Sequence, residues 1–272
     1  MGNGQPRHDA LTIEWVVAVH ATYLGANGWL LEIGGLRLLV DPWLQGDLVF
    51  PPGPWLLRGQ LGRPLPAPEN LDLLLLTQGL ADHCHAPSLE LLPNDLPVVG
   101  SASAASRVRQ LGFTTVTALA PGERTAMGEL TITATAGAPV PAVENGYLLQ
   151  HPQGRLYLEP HGFLPEDLPA QALDAVISPV VDVGLPLAGA IVKGKEVLPR
   201  VLERFDPLTV LASATGGDVR FSGLLSNLFQ LQGTLDEAAA VVERSGRGRR
   251  LLDPVPGERY GLAVRDPAAA QS

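Results

Sequence analysis

Residues 29–43 read WLLEIGGLRLLVDPW, and residues 71–83 read LDLLLLTQGLADH. The first stretch contains two apolar runs separated by Gly34-Gly35, and this arrangement favours a β-hairpin with a two-residue turn, because glycine adopts positive φ without steric cost. The apolar run 71–76 is short, continuous and bounded by turn residues. Such a run is typical of a strand that is buried on both faces rather than of a helix.

The same alternation of short strands and turns continues along the chain. We predict further strands at 130–136, 147–150, 155–159, 173–177 and 209–212. Helices are predicted from Ser101 as N-cap through residue 109, over 196–205 and over 235–244. Pro199 is expected in the first turn of its helix, where a missing N–H is tolerated.

The segment 51–68 carries six prolines, and each of them removes a hydrogen-bond donor that a sheet requires. We therefore predict an irregular surface loop there, outside any sheet. Strand-rich halves that each close with helices indicate two sheets packed face to face with helices outside. The predicted organisation is a single domain over 11–265, with flexible ends at 1–10 and 266–272.

Composition excludes several classes of protein. The 272 residues include 19 Lys+Arg and 28 Asp+Glu, and this net charge of −9 disfavours a nucleic-acid-binding surface. The lone Cys84 excludes a disulfide framework and a thiolate zinc site. Residues 1–10 are polar and do not resemble a signal peptide, and no run of about 18 apolar residues suggests a membrane span. We expect a soluble cytoplasmic protein that binds neither nucleic acid nor membranes.

Polar residues cluster where the predicted strands end. Three of the six histidines, His83, His85 and His161, lie in two such segments, and Asp41 and Glu159 directly follow apolar runs. Because ligands bind where strands run out into loops, these segments are the expected functional site.

These stretches, taken in order, resemble the metallo-β-lactamase superfamily. The resemblance rests on WLLEIGG at 29–35, LLVDPW at 38–43 and LLLLT at 73–77 before Asp82-His83. It is greatest to the branch that contains sugar-lactone hydrolases. It implies an α/β fold, a four-layer αββα sandwich, and hydrolysis supported by one or two metal ions at the edge of the sandwich.

The departures from the family pattern concern the first metal position. The family signature is His-x-His-x-Asp-His, and Gln78 and Leu80 occupy the positions of the first two histidines here. The next family histidine follows a strand resembling 130–136, where this chain has Gly137-Ala138-Pro139. The resemblance therefore implies a degenerate metal motif whose first position has lost all three protein ligands.

The second metal position is better preserved. Asp82 and His83 match the signature, and His161 stands where the family has a metal-bridging aspartate. The last family histidine falls near residues 214–215, with Asp218 close by. We predict one divalent ion, zinc or iron or manganese, held by Asp82, His83 and His161. The alternative is that Asp82 and His83 form a hydrogen-bonded pair without a metal.

Five neighbouring residues receive separate predictions. The resemblance places Asp41 beneath the loop 78–83, which it would orient by hydrogen bonds. The alternative is an ordinary turn residue, since aspartate is common before proline. Gln78 and His85 are expected to contact a ligand. Cys84 is expected to be a small buried residue. Glu159 is either a general base near His161 or a strand-end glutamate facing solvent.

Two functions remain open. The first is a hydrolase of an ester, lactone or phosphoester, in which a metal-bound hydroxide attacks and His161 or Asp82 transfers a proton if it is not itself a ligand. The second is a catalytically inactive protein that binds a small ligand or a partner through Gln78, His83, His85 and His161. Self-association around Trp43 and Trp55 into a homo-oligomer is compatible with either function.

Overall fold

A computed structural model describes residues 19–139, 144–186, 189–213, 219–246 and 248–265. The predicted flexible ends and the Gly216-Gly217 segment with Asp218 lie outside these described residues. Within them, no helix is both long enough and apolar enough to cross a lipid bilayer.

The described residues form the following elements. The strands are β1 (Val19–Gly25), β2 (Gly28–Ile33), β3 (Leu36–Val40), β4 (Asp47–Val49), β5 (Arg58–Leu61), β6 (Leu73–Leu76), β7 (Val98–Gly100), β8 (Val116–Ala118), β9 (Arg124–Met127), β10 (Leu130–Ala136), β11 (Asn145–His151), β12 (Gly154–Leu158), β13 (Ala175–Pro179), β14 (Asp182–Leu185), β15 (Gly189–Lys193), β16 (Thr209–Ser213), β17 (Val219–Ser222), β18 (Gln230–Gln232), β19 (Arg250–Leu252) and β20 (Arg259–Leu262). The helices are α1 (Ala86–Leu89), α2 (Ala102–Gln110), α3 (Gly194–Phe205) and α4 (Leu235–Ser245).

Two seven-stranded sheets form the centre of the molecule. Their strand orders are β20-β1-β2-β3-β6-β7-β8 and β19-β16-β13-β12-β11-β10-β9. A core of buried apolar side chains from both sheets fills the space between them, with Leu31 and Leu75 on one side and Tyr147 and Ile177 on the other. Burial of this apolar surface is the main force that holds the sheets together.

Helices cover the outer faces of the two sheets. Ala104 and Val108 of α2 pack on Leu74 and Leu76 of the first sheet. Helix α3 packs on the second sheet through buried side chains that include Phe205, and α4 covers the same sheet beside it. The layers are therefore helix, sheet, sheet and helix, which confirms the predicted αββα sandwich.

The Gly34-Gly35 hairpin is confirmed. Ile33 pairs with Leu36 across the turn, and the two glycines have φ of 60° and 80°, as a type I′ turn requires. A Cβ atom at Gly34 would lie 2.2 Å from Nε2 of His151. The imidazole of His151, which belongs to the second sheet, therefore leaves room only for glycine.

The prediction for the proline-rich segment was wrong in part. Strand β5 lies inside it and pairs with β4 and β17 in a small three-stranded sheet. Prolines flank β5 without occupying it, so the ladder keeps its donors. Pro199 is also not in a first turn, because α3 begins at Gly194 and places it in the helix interior.

The strand ends assemble the polar residues. Strands β3 and β6 are parallel neighbours, and Asp41 and Thr77 directly follow them. In the second sheet β12, β13 and β16 are parallel, and Glu159 directly follows β12. Since the carboxyl ends of parallel strands meet at one edge of a sheet, these polar residues are brought to the edge of the sandwich.

Candidate metal centre

Five acidic and imidazole side chains converge at this edge. Asp82, His83 and His161 form one group whose potential ligand atoms all lie within 4.8 Å of one another. Glu144, Glu159 and His161 form a second such group, so His161 joins the two. The structure thus brings together the three residues that the sequence singled out as ligands, although they come from segments almost eighty positions apart.

His83 is oriented from beneath by Asp41. Its Nδ1 lies 2.8 Å from Oδ2 of Asp41 and 2.9 Å from Oγ1 of Thr77. Asp41 also accepts hydrogen bonds from the backbone N–H and the hydroxyl of Thr77, at 2.9 and 2.5 Å. Nε2 of His83 consequently faces the cluster, 3.3 Å from Oδ2 of Asp82 and 4.0 Å from Oε1 of Glu144. Such an aspartate–imidazole pair is the arrangement that orients a ligating histidine.

Buried carboxylates determine the charge state of His83. Burial alone lowers the pKa of an imidazole, but the carboxylates of Asp82 and Asp41 outweigh it and raise the pKa of His83 well above its usual value. The cluster therefore attracts positive charge, whether from a proton or from a metal cation.

The turn after β12 carries His161. Oε2 of Glu159 accepts the backbone N–H groups of His161 and Phe163, at 3.2 and 2.6 Å, and so holds the turn. Nδ1 of His161 lies 2.9 Å from Oε2 of Glu144, in a contact that is misaligned for a hydrogen bond. Burial lowers the pKa of His161, but the Glu144 carboxylate more than offsets this and the net shift is upward. Burial raises the pKa of Glu159 to about 7.

Glu144 is a member of the cluster that the sequence did not reveal. The segment after β10 was expected to lack a ligand because it reads Gly137-Ala138-Pro139, but the carboxylate comes from the residue before β11. The backbone N–H of Glu144 donates to the carbonyl of Ala138, and its side chain is fully buried. The sequence shows only an acidic residue directly before an apolar strand, and this does not reveal that the residue is buried or which residues it joins.

Several polar atoms of the cluster are buried without a hydrogen-bond partner among the described residues. They are Oδ1 of Asp82, both carboxylate oxygens of Glu144, Oε1 of Glu159 and Nδ1 of His161. Nδ1 of His161 and Oε2 of Glu144 are ion-paired with each other, and Oε1 of Glu144 lies 4.0 Å from Nε2 of His83. Oδ1 of Asp82 and Oε1 of Glu159 are buried without such a contact in the described part of the chain. Burying charged oxygens in this way is costly, and a divalent cation would compensate them. Carboxylate oxygens and imidazole nitrogens are ligands of Zn²⁺, Fe²⁺ and Mn²⁺, and the donor set therefore fits a divalent metal.

Solvent reaches two of the described members of the cluster. About 21% of the Asp82 side chain and 14% of the His161 side chain are exposed, whereas His83 and Glu144 are completely buried. Solvent therefore reaches the cluster at the loop 78–83, which carries Asp82, and at the turn 159–163, which carries His161. A substrate that entered there would meet Asp82 and His161 first.

The other predicted site residues lie in different surroundings. Gln78 is buried and directly follows Thr77, at the start of the loop 78–83. His85 is not brought to the cluster, because its Nδ1 lies 2.9 Å from Oγ of Ser88 and its Nε2 lies 3.2 Å from the carbonyl oxygen of Asp47.

Cys84 and Glu159 are both buried. Cys84 packs under the loop, and burial raises its pKa to about 12, so it is not a nucleophile at neutral pH. Glu159 lies in the cluster, so the alternative of a solvent-facing glutamate was wrong. Of the two tryptophans considered for self-association, Trp43 is buried and Trp55 is exposed.

Similar folds occur in several solved structures. An isothiocyanate hydrolase from Delia radicum gut bacteria has 19% sequence identity and a TM-score of 0.66, over 90% of this chain and 100% of that one. A metallo hydrolase from the archaeon Ignicoccus hospitalis has 16% identity and a TM-score of 0.62, over 89% and 97%. CmlA, a diiron β-hydroxylase from Streptomyces venezuelae, has 17% identity and a TM-score of 0.62 over 90% of this chain. The match spans 54% of CmlA, or about half its length.

At these identities the likeness concerns the fold alone. No curated protein is a significant sequence match. The sequence does match the family model of the beta-lactamase superfamily domain over residues 20–213, which is 194 of the 272 residues and includes every member of the cluster. The chain therefore belongs to the metallo-β-lactamase superfamily.

Proposed function

We propose that this protein is a metal-dependent hydrolase whose single divalent cation is held by Asp82, His83 and His161, with Glu144 within reach as a further ligand. The observation that carries the proposal is the group of buried carboxylate and imidazole atoms that have no hydrogen-bond partner among the described residues. The names of the isothiocyanate hydrolase and the archaeal metallo hydrolase are consistent with it. An ester, lactone or phosphoester is the proposed substrate.

The side chains of such a site have different roles. Asp82, His83 and His161 would hold a divalent cation, which would lower the pKa of a water molecule at the site from about 15.7 to about 7. Asp41 holds His83 with its Nε2 towards the centre, and Glu159 holds the turn that carries His161. Asp82 and His161 are the members that solvent reaches, so a substrate would approach the cation past these two side chains.

A catalytically inactive binding protein is the second candidate. It is favoured by Gln78 and Leu80, which replace the first two histidines of the family signature. In that case the buried carboxylates would be compensated by protons, and the solvent-accessible part of the cluster would bind a small ligand or a partner through hydrogen bonds.

Metal analysis of protein purified without chelator tests the proposal. We expect about one equivalent of zinc, iron or manganese, and its loss in His83→Ala and in His161→Ala. His85→Ala is the matched control, because this buried histidine lies in the same segment but outside the cluster. Hydrolysis of p-nitrophenyl esters should disappear with chelator and return with metal.

Two results would decide against the hydrolase. If folded protein supplied with all three metals bound no stoichiometric ion, the proposed metal site would be refuted. A bound ion without turnover of any ester, lactone or phosphoester would favour the binding protein.

A further inference from the structure

Each of the two loops that carry Asp82 and His161 also carries an exposed apolar side chain. Leu80 lies two residues before Asp82 and is 40% exposed, and Phe163 lies two residues after His161 and is 37% exposed. Single exposed apolar residues are common on protein surfaces. Here, however, one of them belongs to each of the two loops that border the same polar cluster.

The backbone fixes both residues in place. The carbonyl of Leu80 accepts the N–H groups of His83 and Cys84, at 3.0 and 2.7 Å. The N–H of Phe163 donates to Glu159, and its carbonyl accepts the hydroxyl of Tyr157 at 3.3 Å. The hydrogen bonds that set the cluster therefore also set the positions of the two apolar residues.

Carboxyl groups outnumber imidazoles in the site. Asp41, Asp82, Glu144 and Glu159 contribute four carboxyl groups, and their ion-pair partners among the described residues are imidazoles only. One divalent cation would offset half of four carboxylates. An anionic substrate would meet a repulsive field that a neutral substrate avoids.

The lysine that is hydrogen-bonded to the His161 turn does not reverse this field. Lys193 donates its backbone N–H to the carbonyl of His161, but its ammonium group lies 3.6 Å from Glu196 and its side chain is half exposed. Lys193 is thus paired within its own segment.

We propose that the substrate is a neutral ester or lactone with an apolar chain of several carbons, which contacts Leu80 and Phe163, and that phosphoesters are excluded. This inference rests on the proposed function and names the substrate class of the same site. The polar group would lie at Asp82 and His161, and the apolar chain would lie along the two exposed side chains.

Three p-nitrophenyl substrates with the same leaving group test the inference by activity. We expect kcat/KM for the hexanoate to exceed that for the acetate by about tenfold, because several methylene groups become buried on binding. Turnover of p-nitrophenyl phosphate should be undetectable. Leu80→Ala and Phe163→Ala should each reduce the ratio of hexanoate to acetate about threefold. Leu91→Ala is the matched control, since this leucine is 43% exposed outside the site and should leave the ratio unchanged.

Binding of three inert probes tests the apolar subsite and the exclusion of anions even if no ester is hydrolysed. In ligand-observed NMR titrations hexanamide should bind about tenfold more tightly than either acetamide or n-hexyl phosphate, and Leu80→Ala should remove most of that preference. Equal binding of acetamide and hexanamide would overturn the apolar subsite. Tighter binding of n-hexyl phosphate that is lost in Lys193→Ala would overturn the exclusion of anions. A protein without turnover that keeps the preference for hexanamide would refute the hydrolase and retain the apolar subsite.

Discussion

Asp41 lies in the left-handed region of backbone space, with φ of 40°. A residue other than glycine adopts this conformation at a cost of about 1 kcal/mol or more, and such strain is concentrated at functional sites. The cost is offset here because the carboxylate accepts hydrogen bonds from both polar groups of Thr77 and contacts Nδ1 of His83. A single turn residue thus connects the end of β3 with the loop 78–83.

Asp41→Asn tests this connection. Asparagine tolerates the left-handed backbone but replaces an accepting oxygen with a donor, so His83 Nδ1 or the Thr77 hydroxyl loses its acceptor. We expect metal affinity to fall by about 10- to 100-fold and the free energy of unfolding to fall by about 1–3 kcal/mol. Metal titration and urea denaturation measure the two effects.

Asp47→Asn serves as the control for Asp41→Asn. Asp47 is partly exposed and pairs with Arg58, and exposed ion pairs contribute about 1 kcal/mol or less. Unchanged metal affinity in Asp41→Asn would show that the imidazole is oriented by other contacts.

The turn after β12 restricts the position of His161. Gly162 follows His161 with φ of 75°, and a Cβ atom there would lie 2.7 Å from the backbone carbon of Lys193. The turn therefore needs glycine for two independent reasons, the sign of φ and the close approach of another segment. Both keep His161 beside Glu144.

Gly162→Ala should consequently move His161. We expect a loss of about 1–3 kcal/mol in the free energy of unfolding together with weaker metal binding, because the turn must shift to admit the methyl group. The control is Gly128→Ala, which has φ of 57° but nothing within 4 Å of its added Cβ. It carries the strain of φ alone and should leave metal affinity unchanged. Equal effects of the two substitutions on metal binding would contradict a specific role for the turn.

At the scale of the whole molecule, the last two strands complete both sheets. Strand β19 extends the second sheet beside β16, and β20 extends the first sheet beside β1. Leu262 of β20 is fully buried in the core between the sheets. The segment 250–262, which lies beyond the family match, therefore connects the two halves of the sandwich.

Removal of the chain from residue 249 onwards should destabilise the fold as a whole. The loss of the buried Leu262 and of two edge ladders is expected to lower the free energy of unfolding by at least about 3 kcal/mol, and the exposed edge of β1 should promote aggregation. Urea denaturation and light scattering measure these effects. Arg259→Ala, which removes only the ion pair with Glu32, should cost about 1 kcal/mol or less. A truncated chain as stable as the full one would refute this role of the segment.

Local patterns were sufficient for several elements and for the segments that carry part of the cluster. Glycine at both turn positions, continuous apolar runs and the Ser101 N-cap each act over a few residues, and the hairpin, the buried strand β6 and the start of α2 follow from them. The ends of the apolar strands indicated the segments in which ligand-binding residues of α/β sheets are concentrated, and the family resemblance singled out Asp82, His83 and His161 within them.

Tertiary structure decided what depends on distance in space. Glu144 comes close to His161 only because β11 and β12 are neighbours, and no local pattern marks it as a member of the cluster. Likewise, β5 inside the proline-rich segment is the middle strand of a small sheet, between the nearby β4 and β17, which lies more than 150 positions away. Propensity and spacing act along the chain, whereas pairing between remote strands and the burial of a carboxylate among them are settled only when the two sheets pack.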